Sequence, residues 1–233
     1  MIVRYTLVAP LGQMTDTGAR WTAGPLTRAA LAIAVESFAS KPRKGGDTPY
    51  LSHLFAVSAL VMEHGGSEVQ AAAGLLHDTI EDIKTPAPDL VEDLVQRGAT
   101  ATEASAVVAI VEATTDGQPD DQRDNLDWPV RKSRYLQSLR AKGPHDPALL
   151  VSLADKVHNS EATVQVIRTG KTAHQLYVTP VFNAGAPLQK WYYSSLAQVF
   201  RDKLGGNAEV LPLVRRLEAA VDEIFADVEA ARP

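Results

Sequence analysis

The run LLHDTIED at residues 75–82 sets four ionisable side chains directly after an apolar segment, Ala71–Leu76. His77 and Glu81, like Asp78 and Asp82, lie four residues apart, so on a helix each pair shares a face. Placing such groups against apolar neighbours costs free energy unless a cation or hydrogen bonds compensate them. Just upstream, Ser67 followed by Gln70 has the pattern of a capping box and predicts a helix that carries the run. Taken alone, the run reads equally as a solvated helix end where acids cluster.

Helical periodicity extends in both directions from this run. Leu31, Val35 and Phe38 follow Pro25 and Thr27 at helix spacing and break at Lys41-Pro42. A second helix is predicted from about Ser52 to His64, a fourth from Pro86 to Gln96, and a fifth capped by Thr100 and Glu103. Residues 116–128 are polar and aperiodic, which predicts a loop before a helix opened by Pro129 and ending near Gly143. Asp146-Pro147 is a helix start, cap followed by proline, for a long helix carrying LLVSLADKVHN and running to Arg168. A loop at about 171–186 precedes a helix with KWYYSSLAQVF, and the stretch after Asn207 keeps helix spacing, interrupted by Pro212. No run alternates at period two, and no repeat or linker divides the chain. The expected fold is therefore all-α, with residues 23–233 as one domain and residues 1–22 as an extension without a helical pattern. Met14 lies within that extension as an alternative start.

Composition narrows the function. The 233 residues are 45% hydrophobic and 22% charged, as in an ordinary globular protein, and no cysteine is present. Disulfides, thiolate metal sites and thiol catalysis are thereby excluded. A net charge of −5 argues against duplex nucleic acid, whose backbone needs a basic partner. The longest apolar stretches, such as Leu54–Met62, fall well short of the ~20 residues that span a bilayer, and the N-terminus has no signal-peptide pattern. The expected location is the cytoplasm.

Two further polar insertions sit in apolar helical runs. His53 lies in PYLSHLFAVSALV, and Asp155 lies in the middle of LLVSLADKVHN. An isolated histidine there is commonly a satisfied core residue and an isolated aspartate a cap, although Asp155 is not at a cap position. Together with His77 and Asp78 they make two imidazoles and two carboxylates on three helices. That mixed set suits one divalent ion such as manganese, iron or zinc, with positions left for water and substrate oxygens.

The order His53, His77-Asp78, Asp155 resembles that of the HD-domain phosphohydrolases. More narrowly, RKGGDTPYLSH at residues 43–53, LLHDTIED and LLVSLADKVHN resemble the motifs of the RelA/SpoT-like alarmone pyrophosphohydrolases in their small, hydrolase-only form. The likeness spans roughly residues 25–205. It implies an HD-type helical bundle holding one metal ion, usually manganese, between the helices that carry His53, His77, Asp78 and Asp155. The implied reaction is hydrolysis of the 3′-pyrophosphate of guanosine tetra- or pentaphosphate. Glu81 and Asp82 would orient water and shuttle its proton. Arg43, Lys44, Lys156, Asn159 and Tyr192 would face the nucleotide, and the basic helix of residues 130–140 would flank it.

Each substrate residue also has a plainer reading: an exposed basic loop for Arg43-Lys44, a surface lysine for Lys156, a locally bonded asparagine for Asn159, core aromatics for Trp191-Tyr192-Tyr193. His64, His145, His158 and His174 have no partners at metal-ligand spacing. The sequence departs from the family where Phe38 and Lys41 replace a histidine and a glutamine, where Leu54 replaces a proline, and in a longer RKGGDTPY loop. Those departures touch the nucleotide side rather than the metal set. The competing readings are a phosphatase for another 2′- or 3′-phosphorylated nucleotide, such as NADPH or an RNA end, and a non-catalytic, antitoxin-like binding protein.

Overall fold

The computed structural model describes residues 21–115, 127–178 and 182–231. Among them are α1 (Pro25–Ser37), α2 (Leu51–Glu63), α3 (Glu68–Leu76), α4 (Ala87–Gln96), α5 (Ala101–Thr114), α6 (Trp128–Ala141), α7 (Ala148–Ile167), α8 (Ala173–Leu176), α9 (Ala186–Leu204) and α10 (Leu211–Ile224). The described residues form no strand; a single antiparallel bridge joins Pro42 and Pro49. Most of the expected 116–128 loop and nearly all of the 1–22 extension lie outside the described residues.

Local signals start most of these helices. Both halves of the capping box are made at Ser67/Gln70 and at Thr100/Glu103. A third box, Thr172/Gln175, starts α8, a single short helix inside the segment expected to be loop throughout. Pro212 sits in the first turn of α10, where its missing N–H costs nothing, so it opens that helix rather than interrupting it. Asp146 does cap α7, accepting from the Ala148 amide at 2.9 Å, but regular helix begins one residue later than expected.

The main departure falls in the decisive run. Regular helix ends at Leu76, and Thr79–Ile83 wind as a π-helical turn. Asp78 has φ −98° and ψ 2°, which opens the ladder, and Lys84 in the left-handed region (φ 66°) closes the turn. The Asp82 amide still donates to the Asp78 carbonyl four residues back at 2.8 Å, and the ladder widens after it, the Lys84 amide donating to the Thr79 carbonyl five residues back. Wide turns of this kind recur at functional sites because they re-aim side chains.

Helix α3 lies at the centre, against α1, α2, α5 and α7, while α10 packs on α7 and α9. The α2–α3 contact is close because residue 74 is glycine. A Cβ there would lie 3.1 Å from the Ser58 Cα, and the Ser58 hydroxyl donates to the Ala71 carbonyl at 2.9 Å. That crossing brings His53, near the start of α2, to His77, just past the end of α3. Across the other face, Lys190 of α9 donates to the Phe225 carbonyl at 3.0 Å and to that of Val228, satisfying acceptors at the end of α10.

No side chain of its own caps α1; Glu68 of α3 does so. Its Oε1 accepts from the Gly24 amide at 2.8 Å, the Thr27 amide at 3.2 Å and the Thr27 hydroxyl at 2.6 Å. Burial acts to raise the Glu68 carboxyl, but these donors outweigh it and hold the group below its ordinary value. Glu68→Ala is expected to destabilise the fold by about 1–2 kcal/mol in urea unfolding at neutral pH, the scale of a lost cap. A carboxyl lowered in the folded state contributes above the unfolded value of about 4.3 and loses that contribution as pH falls through the folded one. The gap between wild type and variant should therefore shrink below about pH 4.

Candidate metal centre

Four polar side chains from three elements meet beneath the α2–α3 crossing. His53 of α2 is 2% exposed, His77 is 4% exposed, and Asp155 comes from the middle of α7. The His53 and His77 Nε2 atoms are 3.2 Å apart. Asp155 Oδ1 lies 3.2 Å from the first and 3.7 Å from the second. Asp78 Oδ2 lies 3.0 Å from His77 Nε2 and 3.7 Å from His53 Nε2. The Tyr50 hydroxyl, one turn before His53, donates to that same Asp78 oxygen at 2.5 Å.

Hydrogen bonds at the far side of each ring decide which nitrogen faces inward. His77 Nδ1 is 2.9 Å from the Gly74 carbonyl, which can only accept, so Nδ1 carries the proton and Nε2 presents its lone pair. His53 Nδ1 faces His158 Nδ1 at 2.8 Å. The two imidazole Nε2 atoms and Asp155 Oδ1 thus converge with Asp78 Oδ2 beside both imidazoles, an arrangement that suits a positive charge among them. His53, His77 and Asp155 offer one ligand atom each, all within 4.8 Å of one another. A divalent ion with bonds of about 2.1 Å sets adjacent donors about 3 Å apart, so the donor set fits such an ion.

The electrostatics agree. Burial opposes charge on His77, yet Asp78 and Asp155 outweigh it and raise the imidazole well above its ordinary value. Burial works to raise the Asp78 carboxyl, and His77 overcomes this and brings it to about 2. Burial likewise works against ionised Asp155, but Lys156, then His53 and His77, hold it well below the usual carboxylate range. His53 goes the other way, lowered chiefly by burial. In chelator-treated protein the surroundings thus favour two carboxylates and a His77 imidazolium, whose Nε2 proton stands where a divalent cation would bind.

The other expected residues divide into two groups. Lys156 donates to Asp155 Oδ2 at 2.6 Å, and Asn159 Nδ2 donates to Asp155 Oδ1 at 2.5 Å. Arg43 reaches α7 from its loop, its two terminal nitrogens 3.2 Å from His158 Nδ1 and 2.9 Å from Asn159 Oδ1. Tyr192 is buried, with Lys132 of α6 over its ring at 4.8 Å and the Lys156 charge nearby. Lys44, by contrast, is exposed on the loop. Glu81 is half-buried on the π-turn, while the more open Asp82 accepts from Lys41 at 2.6 Å.

Sequence reasoning passed over His158, Tyr50 and Lys41. His158 lies three residues after Asp155, and Tyr50 three before His53, a spacing that puts each on the ligand face of its helix. Lys41 had no such signal, since it precedes the helix. It sits 4.9 Å from the Tyr50 ring centroid and 5.6 Å from that of Phe38, and those two rings stack at 5.2 Å. The departures at Phe38 and Lys41 are thus one packed unit. His64, His145 and His174 lie away from the cluster, as expected; His64 bonds the Leu60 carbonyl, and the other two are exposed.

Residues 30–182 match the family described as HD domain. This chain belongs to the HD-domain family. Of the two His-Asp pairs in that span, His77-Asp78 and His145-Asp146, the first lies in the cluster described above. Among curated proteins it is 27% identical over 218 residues to a Streptomyces coelicolor GTP pyrophosphokinase, covering 87% of this chain and 24% of that one. It is 28% identical over 130 residues to a Synechocystis protein named probable guanosine-3′,5′-bis(diphosphate) 3′-pyrophosphohydrolase, covering 56% and 16% respectively. The chain therefore spans about a quarter or less of the length of these relatives. Among solved structures, Listeria monocytogenes lmo0812 superposes with a TM-score of 0.58 at 26% identity, over 76% of this chain and 98% of that one. A metazoan SpoT orthologue that hydrolyses ppGpp superposes with a TM-score of 0.60 at 23% identity, over 89% and 97%. These superpositions accord with an HD helical fold.

In chelator-treated protein, His77 is expected to titrate well above the ordinary imidazole value of 6.5. Asp78→Asn should bring its midpoint down. Long-range 1H–15N NMR of the imidazoles reads both; a His77 midpoint near 6.5 that ignores the Asp78 substitution would contradict this electrostatic picture.

Proposed function

We propose that this HD-domain protein is a metal-dependent phosphohydrolase that removes the 3′-pyrophosphate of guanosine tetra- or pentaphosphate, releasing pyrophosphate and GDP or GTP. The observation that carries the metal-dependent part is the convergence of His53, His77 and Asp155 donor atoms within 4.8 Å, with Asp78 beside both imidazoles. The names of the Synechocystis and metazoan relatives support the substrate. Residues 23–233 act as one hydrolase domain in this reading, working in the cytoplasm on a small-molecule nucleotide.

His53, His77, Asp78 and Asp155 hold the divalent ion, most naturally manganese. Once bound, such an ion lowers the pKa of water and offsets charge on the phosphoryl oxygens. The chain's own groups do the rest. Hydrolysis joins the water oxygen to the phosphorus on the ribose 3′-oxygen, breaks that P–O bond and returns a proton to the ribose oxygen. Glu81 and Asp82, on the π-turn directly after His77-Asp78, orient the water and move its proton in this reading. Lys41 donates to Asp82 and fixes its position. Arg43, Lys44 and Lys156 supply positive charge for the phosphates, Asn159 polar contacts, and Tyr192 with Lys132 a flat, cationic wall for the nucleoside.

A second reading, a phosphatase for another 2′- or 3′-phosphorylated nucleotide, draws on Phe38 and Lys41, which pack with Tyr50 and stand where the resemblance implies a histidine and a glutamine.

Manganese-loaded protein incubated with guanosine tetraphosphate should give GDP and equimolar pyrophosphate on anion-exchange chromatography. Turnover of NADPH or 3′-phosphorylated RNA ends alone would select the second reading. Asp78→Ala should lose retained metal and turnover together. Glu81→Gln should keep the metal while slowing turnover by roughly 10²–10⁴-fold, the range of a lost general acid or base. An unchanged rate in Glu81→Gln would remove Glu81 from the proton path.

A further inference from the structure

The loop carrying Arg43 is short and closed. Pro42 and Pro49 face each other across the antiparallel bridge, the Arg43 amide donates to the Thr48 carbonyl at 2.8 Å, and the Tyr50 amide donates to the Lys41 carbonyl at 2.8 Å. From that base the Arg43 side chain crosses to α7 and ends on two neighbouring residues, His158 and Asn159. Each of those in turn touches one residue of the metal set.

A guanidinium can only donate. His158 Nδ1, 3.2 Å from Arg43, must then be the acceptor, which leaves the His158 proton on Nε2. With His158 Nδ1 an acceptor whose one lone pair is shared between Arg43 and His53, His53 must be the donor across their 2.8 Å contact, so His53 carries its proton on Nδ1. Its Nε2 is left with a lone pair aimed at the His77–Asp155 cluster. The same logic fixes the other arm. Asn159 accepts from Arg43 through Oδ1 at 2.9 Å, so its amide nitrogen points the other way and donates to Asp155 Oδ1 at 2.5 Å. One donor-only group thus determines the imidazole tautomer on one arm and the amide orientation on the other.

We propose that Arg43, acting through His158 and Asn159, is a positioning residue that fixes the tautomer of His53 and the orientation of Asp155 for divalent-metal binding. The proposal rests on the metal-centre reading above and extends it to groups that do not touch the ion. It also gives a role to His158, which no motif singled out. The loop at residues 43–48 and two of the metal ligands become one mechanical unit, so displacement of the guanidinium by an anionic ligand would be felt at His53 and Asp155 together.

Groups that orient imidazole ligands typically change metal affinity about 10–100-fold when removed. Arg43→Gln removes both arms from a half-exposed site without opening the core, so it is the first variant. Titration of the chelator-treated full chain with Mn2+ in a calorimeter should show affinity lowered about 10-fold or more, with the thermal midpoint close to wild type. His158→Asn, whose side-chain oxygen can accept where Nδ1 does, should bind Mn2+ close to wild type. His158→Phe, which fills the space and cannot accept, should bind weakly. Long-range 1H–15N NMR of wild type should find the His53 proton on Nδ1 and that of His158 on Nε2.

Wild-type affinity in Arg43→Gln, or a His53 proton on Nε2 in wild type, would overturn the inference while leaving the metal centre standing. Failure of the centre itself has a different signature: wild type that takes up no Mn2+, or Asp78→Ala that binds as tightly as wild type. In either case this inference falls with it.

Discussion

Everything in this fold answers to one electrostatic constraint: two imidazole nitrogens 3.2 Å apart each face two carboxylate oxygens at 3.0–3.7 Å in a largely apolar interior. Such a cluster is stable only if its geometry is over-determined and positive charge lies within or beside it. The scaffold supplies the geometry through the close α2–α3 approach at Gly74, which sets the two histidines edge to face, and through α7, which brings Asp155 up from below. It supplies charge from outside through Lys156 on Asp155, and from inside through protonated His77.

Around this cluster, polar groups are arranged in layers with little redundancy. Tyr50 donates to Asp78, Asn159 and Lys156 to Asp155, the Gly74 carbonyl accepts from His77, and His158 Nδ1 faces His53 Nδ1. Buried Lys156 has its charge among the Tyr192, Tyr135 and Tyr193 rings, so the aromatic wall and the metal side share one cation. A change at the aromatic wall therefore has a short route to Asp155.

Much of this was legible in the chain because it is local. Capping boxes at Ser67 and Thr100 and proline at helix starts are written in neighbouring residues, and His53, His77-Asp78 and Asp155 stand out as polar breaks in apolar runs. What the chain did not announce depends on backbone or on distance. The π-turn at Thr79–Ile83 follows from dihedral angles at Asp78 and Lys84, which no spacing rule reports. The Lys41–Asp82 and Arg43–His158 contacts join residues far apart in the sequence, and Glu68 caps a helix other than its own. His158 was passed over because histidines were weighed as ligands and not as partners of ligands.

The π-turn also bears on how such a protein diverges. A turn of this kind holds one residue more than the ordinary helix it replaces, and each residue of an α-helix advances the chain by about 100°. Deleting Ile80 would remove that extra residue ahead of the acids and swing Glu81 and Asp82 by about that angle, with His77-Asp78 untouched. Single-residue insertions and deletions in this stretch are thus a short evolutionary path between chains that share the ion-binding frame but aim their acids at different bonds.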